Sequence, residues 1–130
     1  MMPLRAAQGI ALIPWSPMAR GDLAGTGLGG DAKILRARTD PFGHSLDFGT
    51  KQDEATRARV NDVAEKLGVK PTVIALARVM SKPYVTAPTI GASKPHNLDD
   101  VVAALDIKLD AKTITELEEP YRPKAVVRHS

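Results

Sequence analysis

Two short segments carry residue types that suit a phosphate-bearing ligand with an aromatic end. The first is Pro14-Trp15-Ser16-Pro17-Met18-Ala19-Arg20-Gly21. Trp15 offers a flat apolar face for stacking, while Ser16 and the small Ala19 and Gly21 leave backbone N–H groups open to an anion. The second is Ile90-Gly91-Ala92-Ser93-Lys94-Pro95-His96-Asn97-Leu98-Asp99-Asp100. It lies where a strand gives way to a helix, so free N–H groups and the positive dipole end collect at its start. Ser93 caps or donates there, Lys94 brings a charge, and Asn97 and Asp100 follow about one turn deeper. Each segment has a plainer alternative. The first also suits a proline-bounded turn around a packed tryptophan, and the second an ordinary helix cap followed by a solvated face.

Other reactive residue types form no working arrangement. His44, His96 and His129 lack metal-site spacing, and without cysteine there is no thiolate ligand, redox pair or disulfide. No metal site is expected. Glu118-Glu119 reads as a solvated helix end. Tyr84 and Tyr121 read as packing residues, and neither a Ser-His-Asp set nor a GxSxG elbow is present.

The elements that must position the two segments follow from hydrophobic spacing. Gly9-Ile10-Ala11-Leu12-Ile13, stopped by Pro14, predicts a strand buried on both faces. Residues 22–50 are rich in glycine without a sustained period, which predicts a long functional loop. Thr50 and Asp53 make a capping-box-like start to a helix with Val60, Val63, Ala64 and Leu67 on one face, and Gly68 ends it. Pro71 opens a second helix running to about Met80. Residues 84–90 predict a second strand, weakened by Pro88. A helix through Leu98, Val101, Val102 and Leu105 follows, then a last one capped by Asp110, with Leu109 and Ile114 spaced as a hydrophobic staple. Residues 120–130 form a basic tail.

This β/α alternation predicts an α/β fold with parallel strands joined by helical crossovers. Two strands with both edges open do not make a stable parallel sheet, so further strands or a partner chain must complete it. Self-association through those edges is the expected consequence for the isolated chain.

Composition narrows the class. With 43% hydrophobic and 25% charged residues in 130, the chain suits a soluble domain with a core. Its 18 basic and 15 acidic residues are interspersed and aromatics make up 4%, which speaks against nucleic-acid binding. No apolar run spans a bilayer and no signal peptide is expected at the start, so the expected setting is the cytoplasm.

Taken together the segments resemble the C-terminal part of an aldo-keto reductase. The likeness joins Gly-Ile-Ala-Leu-Ile-Pro-Trp-Ser-Pro-Met-Ala-Arg-Gly at 9–21, Arg-Ala-Arg-Thr-Asp at 36–40 and Ile-Ala-Leu-Ala at 74–77. It continues in Ser-Lys-Pro at 81–83, Thr-Ile-Gly-Ala-Ser at 89–93 and Leu-Glu-Glu-Pro-Tyr at 117–121. The branch most resembled is the bacterial one that includes potassium-channel β-subunit-like reductases.

The resemblance implies a (β/α)8 barrel that binds NADP(H) in extended form, with 10–14 as the seventh strand and 86–90 as the eighth. The chain, 1–130, would be a partial domain and the barrel would not close. By the same resemblance Trp15 stacks on the nicotinamide, Ser16, Pro17, Met18, Ala19 and Gly21 line the pyrophosphate, and Gly91 is counted among the cofactor-binding residues. Arg36, with Arg38 as the alternative, folds over the cofactor from the 22–50 loop. Ser93 and Lys94 hold the 2′-phosphate, and Asn97 and Asp100 lie against adenine and ribose. Asn97 is shorter than the family's usual Gln, and Val101 stands in place of a common Asn. The family's catalytic Asp, Tyr, Lys and His have no counterpart here. The implied function is therefore part of an NADP(H)-dependent oxidoreductase for small carbonyl substrates, inactive until the barrel is complete. The alternative is a non-enzymatic remnant that at most binds nucleotide or self-associates.

Overall fold

The computed structural model describes residues 2–24, 50–92 and 95–123. Its helices are α1 (Met2–Gln8), α2 (Lys51–Leu67), α3 (Pro71–Met80), α4 (Pro95–Ala103) and α5 (Ala111–Glu118), with a short 3-10 segment, Ala19–Ala24, before α2.

The helix boundaries follow local chemistry. At the start of α2 the Asp53 N–H donates to Thr50 Oγ1 at 3.3 Å, and the Thr50 N–H donates to Asp53 Oδ2 at 3.0 Å. This reciprocal box satisfies two otherwise orphaned donors and contributes about 1 kcal/mol. Gly68 ends α2 in the left-handed region at φ 67, where a side chain would clash with the preceding carbonyl. Pro71 opens α3 at a position whose N–H has no helical partner, and Asp110 caps α5 by accepting from the Thr113 N–H at 2.7 Å.

α3 is the centre of the fold. Five consecutive residues, Val73, Ile74, Ala75, Leu76 and Ala77, are buried, so the helix is apolar on opposite sides and needs cover on both. On one side Ile74 packs with Val60, Val63 and Ala64 of α2 and Leu117 of α5. On the other Val73 and Leu76 pack with Ala104, joined at the margin by Met18, Met80, Ile90 and Val101.

The two expected strands are not strands among the described residues. Residues 10–15 and 84–90 do run side by side and parallel, joined by a single bridge between Trp15 and Thr89. The Thr86 N–H donates to the Leu12 carbonyl at 2.8 Å and the Thr89 N–H to the Pro14 carbonyl at 2.9 Å. Thr86 Oγ1 accepts from the Leu12 N–H at 3.2 Å, where a ladder would have used a carbonyl. Burial on both faces also fails, because Ile10 and Ile13 are 53% and 62% exposed. The physical reason is the lack of neighbours: a parallel strand is regular when ladders flank both edges and helices cover both faces, and among the described residues this pair has only each other. α1 was not signalled by sequence spacing. It is held by Arg5, which donates to the Ile10 carbonyl at 2.6 Å and lies 6.0 Å from the Tyr84 ring centre.

Charge pairs tie α5 to the helices before it. Glu116 pairs with Lys66, Glu118 with Lys82 and Arg78, and Glu119 with Arg59. The hydrogen bond from Lys82, reinforced by the charge of Arg78, holds the Glu118 carboxyl below its ordinary range, and Lys66 does the same to Glu116. A carboxyl more acidic in the folded than in the unfolded chain stabilises the fold above its unfolded pKa, and that contribution is lost as pH falls through the folded value. Thermal stability is therefore expected to fall on acidification through the carboxylate range, and Glu118→Gln to flatten part of that slope. High salt should reduce the difference, since these groups are partly solvated. An identical pH profile for the variant in thermal melts would remove Glu118 from this account.

Candidate functional site

The parallel register decides where the two ligand-suited segments lie. Because 12–15 and 86–89 run in the same direction, their carboxyl ends emerge on one side of the molecule. The turn after Trp15 and the segment 90–92 are thereby neighbours. Met18 and Ile90 pack against the same cluster on α3, which fixes their proximity.

The first turn is conformationally unusual. Ser16, Ala19 and Arg20 have φ of 52, 48 and 58, and Gly21 has φ 103. Left-handed backbone costs a residue with a side chain roughly 1–2 kcal/mol, so this shape persists only where surrounding contacts hold it. Three bonds close it: the Ala19 N–H donates to the Ser16 carbonyl, and the Gly21 and Leu23 N–H groups donate to that of Met18. This corrects one expectation. The N–H groups of Ala19 and Gly21 are engaged in closing the turn and are not open to an anion. Trp15 is 59% exposed, so the alternative of a packed tryptophan does not hold. Ser16, Pro17, Met18, Ala19 and Gly21 are all partly covered.

Below the turn sits Asp22, 2% exposed, its Oδ1 accepting from Arg57 Nη1 of α2 at 2.7 Å. No sequence signal marked this pair, because the partners lie on different elements and neither belongs to a short motif.

In the second segment Gly91 is exposed, and a Cβ built on it meets nothing within 4 Å. A few residues on, α4 begins, and its first-turn N–H groups have no acceptor within the helix. Asn97 is partly covered. Both Asp100 carboxylate oxygens accept from Lys70 Nζ, at 2.7 and 3.0 Å, so a cation before α3 already neutralises this group. Ser93, Lys94, Arg36 and Arg38 lie outside the described residues, as does the 22–50 loop from residue 25 to residue 49. Among the described residues no three His, Asp or Glu are grouped to hold a metal ion, and no helix is long and apolar enough to cross a membrane.

An aromatic face, open space at Gly91 and a helix start thus share one side of the molecule, which fits a ligand with a ring at one end and phosphates along its length.

The model of the Aldo/keto reductase family matches residues 1–122. A Schizosaccharomyces pombe protein provisionally named an aryl-alcohol dehydrogenase is 37% identical over 95% of this chain and 34% of its own length. Versiconal hemiacetal acetate reductase of Aspergillus parasiticus is 36% identical over 97% of this chain and 36% of its own length. A second S. pombe protein, provisionally named a voltage-gated potassium channel β subunit, is 28% identical over 92% of this chain and 36% of its own length. The chain spans about a third of the length of these curated relatives.

Proposed function

The chain belongs to the aldo/keto reductase family, and from that premise we propose that it supplies the cofactor-holding C-terminal part of an NADP(H)-dependent oxidoreductase acting on aldehydes or ketones. The observation that carries the reading is the parallel register, which sets the exposed Trp15, Gly91 and the start of α4 on one side. In this reading 10–14 and 86–90 are the seventh and eighth strands of a (β/α)8 barrel, regular only when their neighbours are in place.

NADPH, when bound, supplies the hydride for the carbonyl carbon. Trp15 offers its face to the nicotinamide and keeps water from that side of the ring. The 16–21 turn and Gly91 leave room for the pyrophosphate, and the family resemblance assigns Arg36 or Arg38 to the cofactor as well. Ser93 and Lys94 hold the 2′-phosphate at the start of α4, where the helix dipole favours an anion. Asn97 and Asp100 face the adenosine, with Lys70 holding the Asp100 carboxylate in place through both of its oxygens. The proton for the carbonyl oxygen comes from residues outside these 130, so the chain alone does not turn over substrate.

The test is a titration with NADPH followed by the emission of Trp15, the only tryptophan. Saturable quenching is expected. Lys94→Ala should weaken NADPH by about 10–100-fold, the worth of a charged hydrogen bond, and leave NADH almost unchanged. No quenching by a chain that unfolds cooperatively would end this reading.

A second, independent check uses Gly91. Its backbone is not left-handed and a Cβ there meets open space, so Gly91→Ala should alter stability by no more than about 0.5 kcal/mol. If a ligand backbone approaches closely at this point, the same change raises the NADPH dissociation constant several-fold with an unmoved melting temperature. Unchanged affinity would place the pyrophosphate elsewhere.

The exposed Ile10, Ile13, Leu98 and Val102 favour a second reading, a non-catalytic remnant that self-associates. Carbonyl-dependent NADPH oxidation on mixing with the N-terminal two thirds of a relative separates the two.

A further inference from the structure

We propose that Lys70, by cancelling the charge of Asp100, sets the choice between a 2′-phosphorylated and an unphosphorylated ribose on the bound dinucleotide. This rests on the cofactor reading above, which brings the adenosine to α4.

Lys70 stands where its own helix gains nothing from it. It is the N-cap of α3, with extended backbone and no side-chain bond to the helix. Ser, Thr, Asp or Asn is favoured at such a place, because a side-chain oxygen there accepts from a first-turn N–H. A cation also meets the positive end of the helix dipole, the less favourable end for it. The ammonium reaches instead to α4, where it donates to both Asp100 carboxylate oxygens at 2.7 and 3.0 Å. The Lys70 side chain is 63% exposed and that of Asp100 19%, so the carboxylate is the inner member of a surface pair. Pairs with so exposed a member add little stability. Neither the helix cap nor the fold therefore accounts for a lysine here.

The pair lies at the ligand end of the molecule. Val69, the residue before Lys70, packs in the cluster that also takes Met18 of the first ligand-suited segment and Ile90 of the second. Asp100 is the sixth residue of α4, about 7–8 Å along the axis from the first. A bare carboxylate at that distance repels a phosphate held at the helix start. It also offers a ribose hydroxyl a charged acceptor, the stronger kind. Matched by Lys70, it does neither to the same degree, and the first-turn N–H groups of α4 act on the phosphate with little opposition.

NADPH and NADH titrations, followed by Trp15 emission, compare the wild-type chain with Lys70→Ala, Asp100→Asn and the double variant. Lys70→Ala bares the carboxylate and is expected to lower the NADPH-to-NADH affinity ratio by about 3–10-fold. Asp100→Asn releases the ammonium and should raise that ratio by roughly 3-fold. The double variant should return to within about 2-fold of the wild-type ratio. In about 1 M salt, where the Debye length is about 3 Å, the shifts in both single variants should shrink. A merely structural role weakens both cofactors together and leaves their ratio unmoved. Single variants that do not shift the ratio in opposite directions overturn the proposal. So does loss of cooperative urea unfolding in both, since the pair would then be a stability element only. Wild-type chain that binds neither cofactor ends the cofactor reading and this proposal with it. Binding with an unmoved ratio ends this proposal alone.

Discussion

Ile74→Ala is expected to lower the urea midpoint of this chain steeply, by the equivalent of about 2–5 kcal/mol. Ile74 is 0% exposed and stands between α2 and α5, where Val60, Val63, Ala64 and Leu117 close around it. Truncation removes three carbons from a site whose walls come from three helices, so collapse is only partial and a cavity remains. Such changes cost about 2–5 kcal/mol, against a total of roughly 5–15 kcal/mol for an ordinary domain. The comparison that isolates burial from helix propensity is Leu67→Ala near the end of α2, where the side chain is 50% exposed. That variant should move the urea midpoint slightly, by the equivalent of no more than about 0.5 kcal/mol. Far-UV circular dichroism in urea reads both. Equal shifts would mean that α2, α3 and α5 do not share a core in solution.

Replacing Leu98, Val102 and Leu105 together by serine is expected to convert a self-associating chain into a monomer. Leu98 and Val102 lie one turn apart on α4, Leu105 follows in the next turn, and the three are 54%, 59% and 68% exposed. The same helix already uses Val101 and the nearby Ala104 to pack against α3. A helix apolar on two sides is one that a complete structure covers on both. Burying the exposed parts of three such side chains contributes on the order of 3–5 kcal/mol, or about 10²–10⁴ in an association constant. Sedimentation velocity measures the change. Urea stability should be unaltered, because none of the three belongs to the buried clusters. In the proposed function this face is covered by the rest of the barrel, so adding the N-terminal two thirds of a relative should also suppress self-association. Wild-type chain that stays monomeric alone would show the face to be tolerated in water.

The sequence alone determined what depends on neighbours in the chain. The reciprocal cap of Thr50 and Asp53, the left-handed Gly68, Pro71 at the first turn of α3 and the Asp110 cap all come from bonds spanning at most a few residues. Their residue types have few other uses in those positions. The core face of α2 was legible at Val60, Val63 and Ala64, which repeat at helical spacing and are buried, whereas Leu67, read on the same face, is 50% exposed. The two ligand-suited segments could also be picked out from residue types, and their ordered motifs pointed to the family.

Only the tertiary structure decided the rest. Strand formation at 10–14 and 86–90 depends on ladders supplied by other segments, so apolar runs were not enough and a single bridge resulted. Whether Trp15 is packed or offered to a ligand depends on what stands beside it, and it is exposed. The engagement of the Ala19 and Gly21 N–H groups follows from the closed shape of the turn. Lys70 with Asp100 and Asp22 with Arg57 join residues 30 and 35 positions apart. No local pattern predicts such pairs, because a charge chooses its partner by distance in space, and helix packing alone sets that distance.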